Sequence, residues 1–118
     1  MPIKYGTNGN DNPLRGTSGN DSLYGLAGDD FILTDDGEDY VEAGDGDDEV
    51  NGYAGTGGAY TYYAVKGAKT IHGGNGNDFI VGGSDGDALY GDDGNDQLYG
   101  RSGNDILSGG LGADYMNG

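Results

Sequence analysis

The chain has no cysteine and no tryptophan, only two prolines and two phenylalanines, and five basic side chains against twenty-one acidic ones. Each shortage closes off a class of protein. Without cysteine there are no disulfides and no thiolate metal sites, so a small domain must be held together by something else, in either an oxidising or a reducing compartment. Lys4, Arg15, Lys66, Lys69 and Arg101 are the whole basic complement. They are too few and too scattered to grip phosphates, which argues against nucleic acid and anionic membrane surfaces as partners. No apolar run approaches the length of a transmembrane helix, and Met1-Pro2-Ile3-Lys4 opens on nothing like the apolar segment of a signal peptide. Export, if it occurs, is expected by another route or through a segment outside these residues. The single histidine, His72, belongs to no H-E-x-x-H motif, and there is no G-x-S-x-G elbow; Tyr63 and Ala68 stand where a phosphate loop ending at Lys69-Thr70 would need glycines. Catalysis is not expected, and His72 reads as a surface residue.

What is abundant is glycine, 28 of 118 residues, and a formal charge of -16. One domain of this size buries little core, and flexible backbone combined with self-repulsion would ordinarily leave such a chain disordered. Two features argue for order: the aliphatic residues recur in phase, and the acids sit at fixed repeat positions rather than in an acidic tail. Bound cations would reconcile charge with folding.

The phase is nine residues. Asp11, Asp21, Asp30, Asp39, Asp48, Asp78, Asp87, Asp96, Asp105 and Asp114 recur almost always at that spacing. Aligned on the aspartate, the units run 6–14 with Arg15 extra, then 16–24, 25–33, 34–42 and 43–51. After a disturbed stretch the rhythm returns as 73–81, 82–90, 91–99, 100–108 and 109–117. A chain with such periodicity buries its apolar face only by stacking one unit on the next. Six glycine-rich residues suit a turn that adopts positive φ, and the next three suit a short strand. Because strand side chains alternate, position eight should point inward and positions seven and nine outward. The inward series is then Leu14 or Pro13, Leu23, Ile32, Val41, Val50, Ile71, Ile80, Leu89, Leu98, Leu107 and Met116. Successive units should fall on opposite sheets, with units two apart stacked in parallel at roughly 4.8 Å.

The unit reads G-G-x-G-x-D-x-U-x with U aliphatic, and Gly73-Gly74-Asn75-Gly76-Asn77-Asp78-Phe79-Ile80-Val81 matches it completely. On this motif, repeated in phase, the chain resembles the calcium-binding nonapeptide domain of RTX (repeats-in-toxin) proteins over nearly its full length. The resemblance implies an all-β, right-handed parallel β-roll of about six coils, two units each, with calcium bound in the turns. It implies a metal between turns stacked on one edge, held by the aspartate of one unit and that of the unit two later. Transferred here, it pairs Asp11 with Asp30, Asp30 with Asp48 and Asp87 with Asp105 on one edge; Asp21 with Asp39, Asp78 with Asp96 and Asp96 with Asp114 belong to the other. Six such calcium ions would offset twelve of the sixteen net negative charges, making binding and folding one event. Calcium suits hard carboxylate and carbonyl oxygens in tolerant geometry, whereas magnesium demands a strict octahedron. An EF-hand is excluded at Asp45-Gly46-Asp47-Asp48-Glu49-Val50, where Val50 replaces the required glycine. The resemblance further implies a module of a larger secreted bacterial protein exported by type I secretion, unfolded in the low-calcium cytosol and ordered outside. An adhesion or recognition module is the alternative. Ice binding is disfavoured because the threonines form no continuous outward row.

The rhythm fails between 52 and 72. The best register is a unit 52–60, an insertion Thr61-Tyr62-Tyr63, and a unit 64–72, which puts Gly57 and Lys69 at the aspartate position. This divides the chain into an N-terminal metal-binding block, 6–51, a degenerate coil, 52–72, and a C-terminal block, 73–117. The Lys69 ammonium is expected to stand in for a cation near Asp48 or Asp87. Tyr53, Tyr60, Tyr62 and Tyr63 crowd the break and suit protein or carbohydrate contact. Outward aromatics are expected as Tyr24, Tyr40, Phe79, Tyr99 and Tyr115 on one sheet and Phe31 and Tyr90 on the other, a face that could also support self-association. If the tyrosine cluster is a display site, replacing Tyr62 and Tyr63 with Ser abolishes partner binding in a pull-down without moving the calcium-induced folding curve; unchanged partner binding removes the idea.

Overall fold

The computed structural model describes residues 3–52, 67–83 and 85–118. Among them the chain forms twelve short strands and no helix. They are β1 (Ile3–Tyr5), β2 (Leu14–Arg15), β3 (Ser22–Tyr24), β4 (Phe31–Leu33), β5 (Asp39–Glu42), β6 (Glu49–Asn51), β7 (Lys69–Asn75), β8 (Phe79–Val81), β9 (Ala88–Asp93), β10 (Gln97–Tyr99), β11 (Ile106–Ser108) and β12 (Tyr115–Asn117). Odd strands make one six-stranded sheet in the order β1-β3-β5-β7-β9-β11; even strands make the other, β12-β10-β8-β6-β4-β2. Every pairing is parallel and joins strands two apart. The result is a β-solenoid of about six turns, the β-roll that the nonapeptide rhythm implies.

The core is the position-eight stripe. Leu23, Val41, Ile71 and Leu89 come from the odd sheet and Ile32, Val50, Ile80 and Leu98 from the even one; all eight are fully buried in one cluster. They align because the parallel register sets Leu23 beside Val41, Val41 beside Ile71 and Ile71 beside Leu89, with Ile32, Val50, Ile80 and Leu98 following suit across the roll. Leu14 rather than Pro13 takes the inward place, opposite Ile32. Leu107 packs against the cluster from its edge, while Met116 is 51% exposed because β12 ends its sheet with no further coil over it. Position nine also departs from simple alternation: Leu33, Asn51 and Val81 lie side by side across β4, β6 and β8 and are buried.

Two further differences from the expected register follow from the pairing. β5 pairs directly with β7 and β6 with β8, so neither sheet has a place between these neighbours for a strand from the 52–60 unit. The twelfth strand is instead β1, which precedes the first recognised unit and adds to β3. Units after the break therefore change sheet relative to strict counting. Lys69, Asp87 and Asp105 stack in the sequence edge of Asp21 and Asp39, whereas Asp78, Asp96 and Asp114 continue from Asp48.

The turns stack as closely as the strands. Gly76 has φ +116°, and a Cβ there would meet the Gly46 carbonyl oxygen at 2.1 Å, so the glycine is required both by its left-handed backbone and by the neighbouring coil. A Cβ at Gly9, by contrast, would make only an ordinary contact, with the Thr7 hydroxyl at 3.8 Å. Gly76→Ala is expected to lower the stability of the calcium-loaded chain by about 1–3 kcal/mol, read from urea unfolding at fixed calcium, while Gly9→Ala changes it little.

Candidate metal centre

The aspartates of stacked units form two ladders with a common hydrogen bond. In the even-sheet ladder the backbone N–H of Asp11 donates to Oδ1 of Asp30 at 2.8 Å, Asp30 to Asp48 at 2.9 Å, Asp48 to Asp78 at 2.9 Å, Asp78 to Asp96 at 2.8 Å and Asp96 to Asp114 at 2.9 Å. In the odd-sheet ladder Asp21 donates to Asp39 at 2.9 Å and Asp87 to Asp105 at 2.9 Å. All six pairs expected from the repeat are thus brought together. A seventh, Asp48 with Asp78, escapes a reading based on nine-residue spacing because its members are thirty residues apart. It could be found only by letting the ladder continue across the break.

In each pair Oδ1 of the accepting aspartate is occupied by its neighbour's N–H, and a free Oδ2 is where a cation fits; the Oδ2 atoms of Asp11, Asp21 and Asp87 instead accept from the backbone N–H of Thr7, Thr17 and Gly83. Oδ2 of Asp30, Asp48, Asp78, Asp96 and Asp105 is buried with no hydrogen-bond partner, an arrangement that costs free energy unless something positive meets it. A glycine (Gly25, Gly73, Gly91 or Gly100) opens the units of Asp30, Asp78, Asp96 and Asp105 beside that oxygen, whereas Ala43 opens the unit of Asp48. At Gly73 the point a Cβ would fill lies 2.3 Å from Asp78 Oδ2 and 2.9 Å from the Gly91 carbonyl oxygen, and at Gly82 the corresponding neighbours are Asp87 Oδ2 and the Gly100 carbonyl oxygen. Among the described residues no three acidic or imidazole side chains converge on one point. A bound ion would therefore draw on carboxylates of adjacent coils together with turn carbonyls, an all-oxygen set of the kind that calcium takes.

Across residues 5–41, 27–58, 66–89 and 90–118 the chain matches the model of the RTX calcium-binding nonapeptide repeat in four copies. The chain belongs to the RTX calcium-binding repeat family. No curated protein and no solved structure matches it significantly. The RTX repeat is a structural calcium-binding module, not a catalytic one, and this roll is such a module.

Burial makes the ladders of the RTX roll electrostatically costly without a cation. Withdrawal from water pushes the Asp48 carboxyl up to about 7 and that of Asp78 up to about 8, with repulsion from neighbouring carboxylates adding to the effect. Asp30, Asp87 and Asp96 are raised above the usual carboxylate range by the same desolvation. Asp39 is raised as well, again chiefly by burial, although its hydrogen bond to Lys69 opposes the shift. Lys69 does not reach Asp48, as one expected alternative had it. Because β7 follows β5, its ammonium donates to Asp39 Oδ2 at 2.7 Å, and only its backbone N–H reaches Asp87, at 2.8 Å.

The outer faces carry aromatic rows. On the odd sheet, rings of Tyr5, Tyr24, Tyr40, His72 and Tyr90 succeed one another with centroids 5.2, 6.2, 5.8 and 4.7 Å apart. Phe79, Tyr99 and Tyr115 form a shorter row on the even sheet. The shift of parity at the break is what moves Tyr90 into the company of Tyr24 and Tyr40, and it places His72, a surface residue as expected, in the same row. Tyr53, Tyr60, Tyr62, Tyr63 and Gly57 lie outside the described residues.

The pH dependence follows from the raised carboxyl groups. In the metal-free fold Asp48 and Asp78 keep protons that the unfolded chain, with values near the ordinary 3.8, has already released. Their contribution to metal-free stability is complete below about pH 4 and is lost as pH rises through about 7 and 8. Calcium held by these carboxylates would have to displace those same protons. With chelator present, strand content by circular dichroism should be greater at about pH 5 than at about pH 9, whereas the calcium concentration for half-folding should fall over the same rise in pH.

Proposed function

We propose that this RTX roll is a calcium-triggered folding module of a larger secreted bacterial protein, disordered in the low-calcium cytosol before type I export and ordered outside the cell. The supporting observation is the row of buried carboxylate oxygens that lack partners in a chain of charge -16. Asp11, Asp21, Asp30, Asp39, Asp48, Asp78, Asp87, Asp96, Asp105 and Asp114 are the proposed metal ligands. The core is narrow, one inward Leu, Ile or Val side chain per strand, and so small a core leaves a strongly charged chain dependent on a bound cation for order. Affinity in the roughly 10⁻⁴–10⁻³ M range of extracellular calcium modules makes the switch coincide with export.

A second reading, adhesion or recognition through the odd-sheet face, is favoured by the continuous row from Tyr5 to Tyr90. Stacked rings offer a firm apolar surface to sugar or protein. The two readings separate on the calcium-loaded domain alone: retention on a glycan or protein array that is lost when Tyr24 and Tyr40 become Ser supports recognition.

For the folding module, far-ultraviolet circular dichroism should show a largely unordered chain in chelator and cooperative strand formation on adding calcium. A metal-free spectrum already rich in strand at neutral pH overturns it.

A further inference from the structure

Among the described residues the odd-sheet ladder is interrupted at Lys69, and the interruption is chemically complete. Lys69 occupies the register position of an aspartate, beside Asp39 on β5. Its backbone N–H donates to Asp87 Oδ1 at 2.8 Å, as the aspartates elsewhere do to theirs. Its side chain turns back along the ladder and is buried, with 1% of its surface exposed. The ammonium donates to Asp39 Oδ2 at 2.7 Å, to the Asp35 carbonyl at 2.7 Å and to the Gly37 carbonyl at 2.5 Å. An ammonium has three donors, and here each has an acceptor.

These acceptors are one carboxylate oxygen and two turn carbonyls of a single unit, the hard-oxygen class of donor that a calcium ion takes. Asp39 is satisfied as a result, and Asp87 is satisfied by backbone N–H groups. Asp39 accepts from the Asp21 N–H and from Lys69, and Asp87 from the N–H groups of Lys69 and Gly83. Neither has an oxygen among the buried unpartnered atoms, in contrast to Asp30, Asp48, Asp78, Asp96 and Asp105. The turn itself is pinned: Asp35, at φ +61°, is gripped by Arg15 through Nε at 2.5 Å and a second guanidinium nitrogen at 2.9 Å.

We propose that Lys69 is a tethered cation occupying a latent calcium site formed by Asp39 and the turn carbonyls of Asp35 and Gly37, so that the middle of this roll is neutralised by the chain itself. The inference rests on the calcium reading above and adds that one position of the ladder needs no metal. Burying an ammonium costs far less when all its donors are met and a carboxylate is its partner. The tethered charge is present at any calcium concentration, so the β5–β7 contact is the part of the odd-sheet ladder that forms ahead of metal loading.

The test compares the full chain with Lys69→Asp and Lys69→Met, counting bound calcium by native mass spectrometry and following folding by circular dichroism. Lys69→Asp restores the consensus carboxylate and should bind at least one more calcium ion than the parent. Lys69→Met removes the charge without supplying a ligand; it should bind no additional ion and need more calcium to fold. Calcium binding by the parent with no extra ion in folded Lys69→Asp, or a Lys69→Met folding curve that overlies the parent's, overturns the tethered-cation proposal alone. Failure of the parent to bind calcium overturns the calcium reading and this inference with it. Should Lys69→Asp not fold, the parent decides the question: in the calcium-loaded chain Lys69 should resist reductive methylation relative to the urea-unfolded chain, and equal rates overturn the proposal.

Discussion

Carboxylates of like charge are stacked one per coil at the separation of neighbouring strands, and everything else in this roll is arranged around making that tolerable. A strand pitch of roughly 4.8 Å brings each aspartate within reach of the next, and the backbone N–H of one caps an oxygen of the other. That interaction orients the ladder but leaves the second oxygen of Asp30, Asp48, Asp78, Asp96 and Asp105 buried without a partner. Protonation, a metal ion or a built-in ammonium are the ways to satisfy it. The family's calcium-binding character follows from this geometry: divalent charge is supplied where the fold concentrates negative charge and excludes water.

The same constraint explains the composition. Large side chains would hold the turns apart, so glycine dominates where one coil's backbone lies on the next, as at Gly46 and Gly76. Strands of about three residues leave one inward side chain each, and the core is a double row of Leu, Ile and Val without an aromatic. The aromatic residues are displaced to the outer faces, where in-register parallel strands stack them into rows. A core this thin gains little from hydrophobic burial alone, and the charge concentrated on the ladders weighs against it.

Departures from the repeat have different consequences on the two edges. On the even-sheet edge Asp48 meets Asp78 and the ladder continues across the break. On the odd-sheet edge Lys69 intervenes between Asp39 and Asp87. A lysine there is compatible with the fold because its side chain is buried while its charge falls where positive charge is wanted, on Asp39 and two turn carbonyls. The local rule is violated in residue type and preserved in electrostatics.

Most of the architecture was legible in the one-dimensional pattern. Period nine implied a roll, the phase of Leu23, Ile32, Val41 and Val50 implied its core, and the aspartate pairs within each regular stretch followed from stacking units two apart. These are local or near-neighbour properties, and a strict repeat carries them wherever it is unbroken. What the tertiary structure alone decided is how the chain re-enters the roll after the break. Counting units predicted a strand before Ala64, whereas the pairing of β5 with β7 and β6 with β8 closes both sheets without one and draws Ile3–Tyr5 in as the twelfth strand. That choice moved Lys69 to Asp39, joined Asp48 to Asp78, and set His72 and Tyr90 in line with Tyr40. The reason is physical: parity in a two-sheet solenoid is a global quantity, set by which strands find partners and not by the number of residues between them.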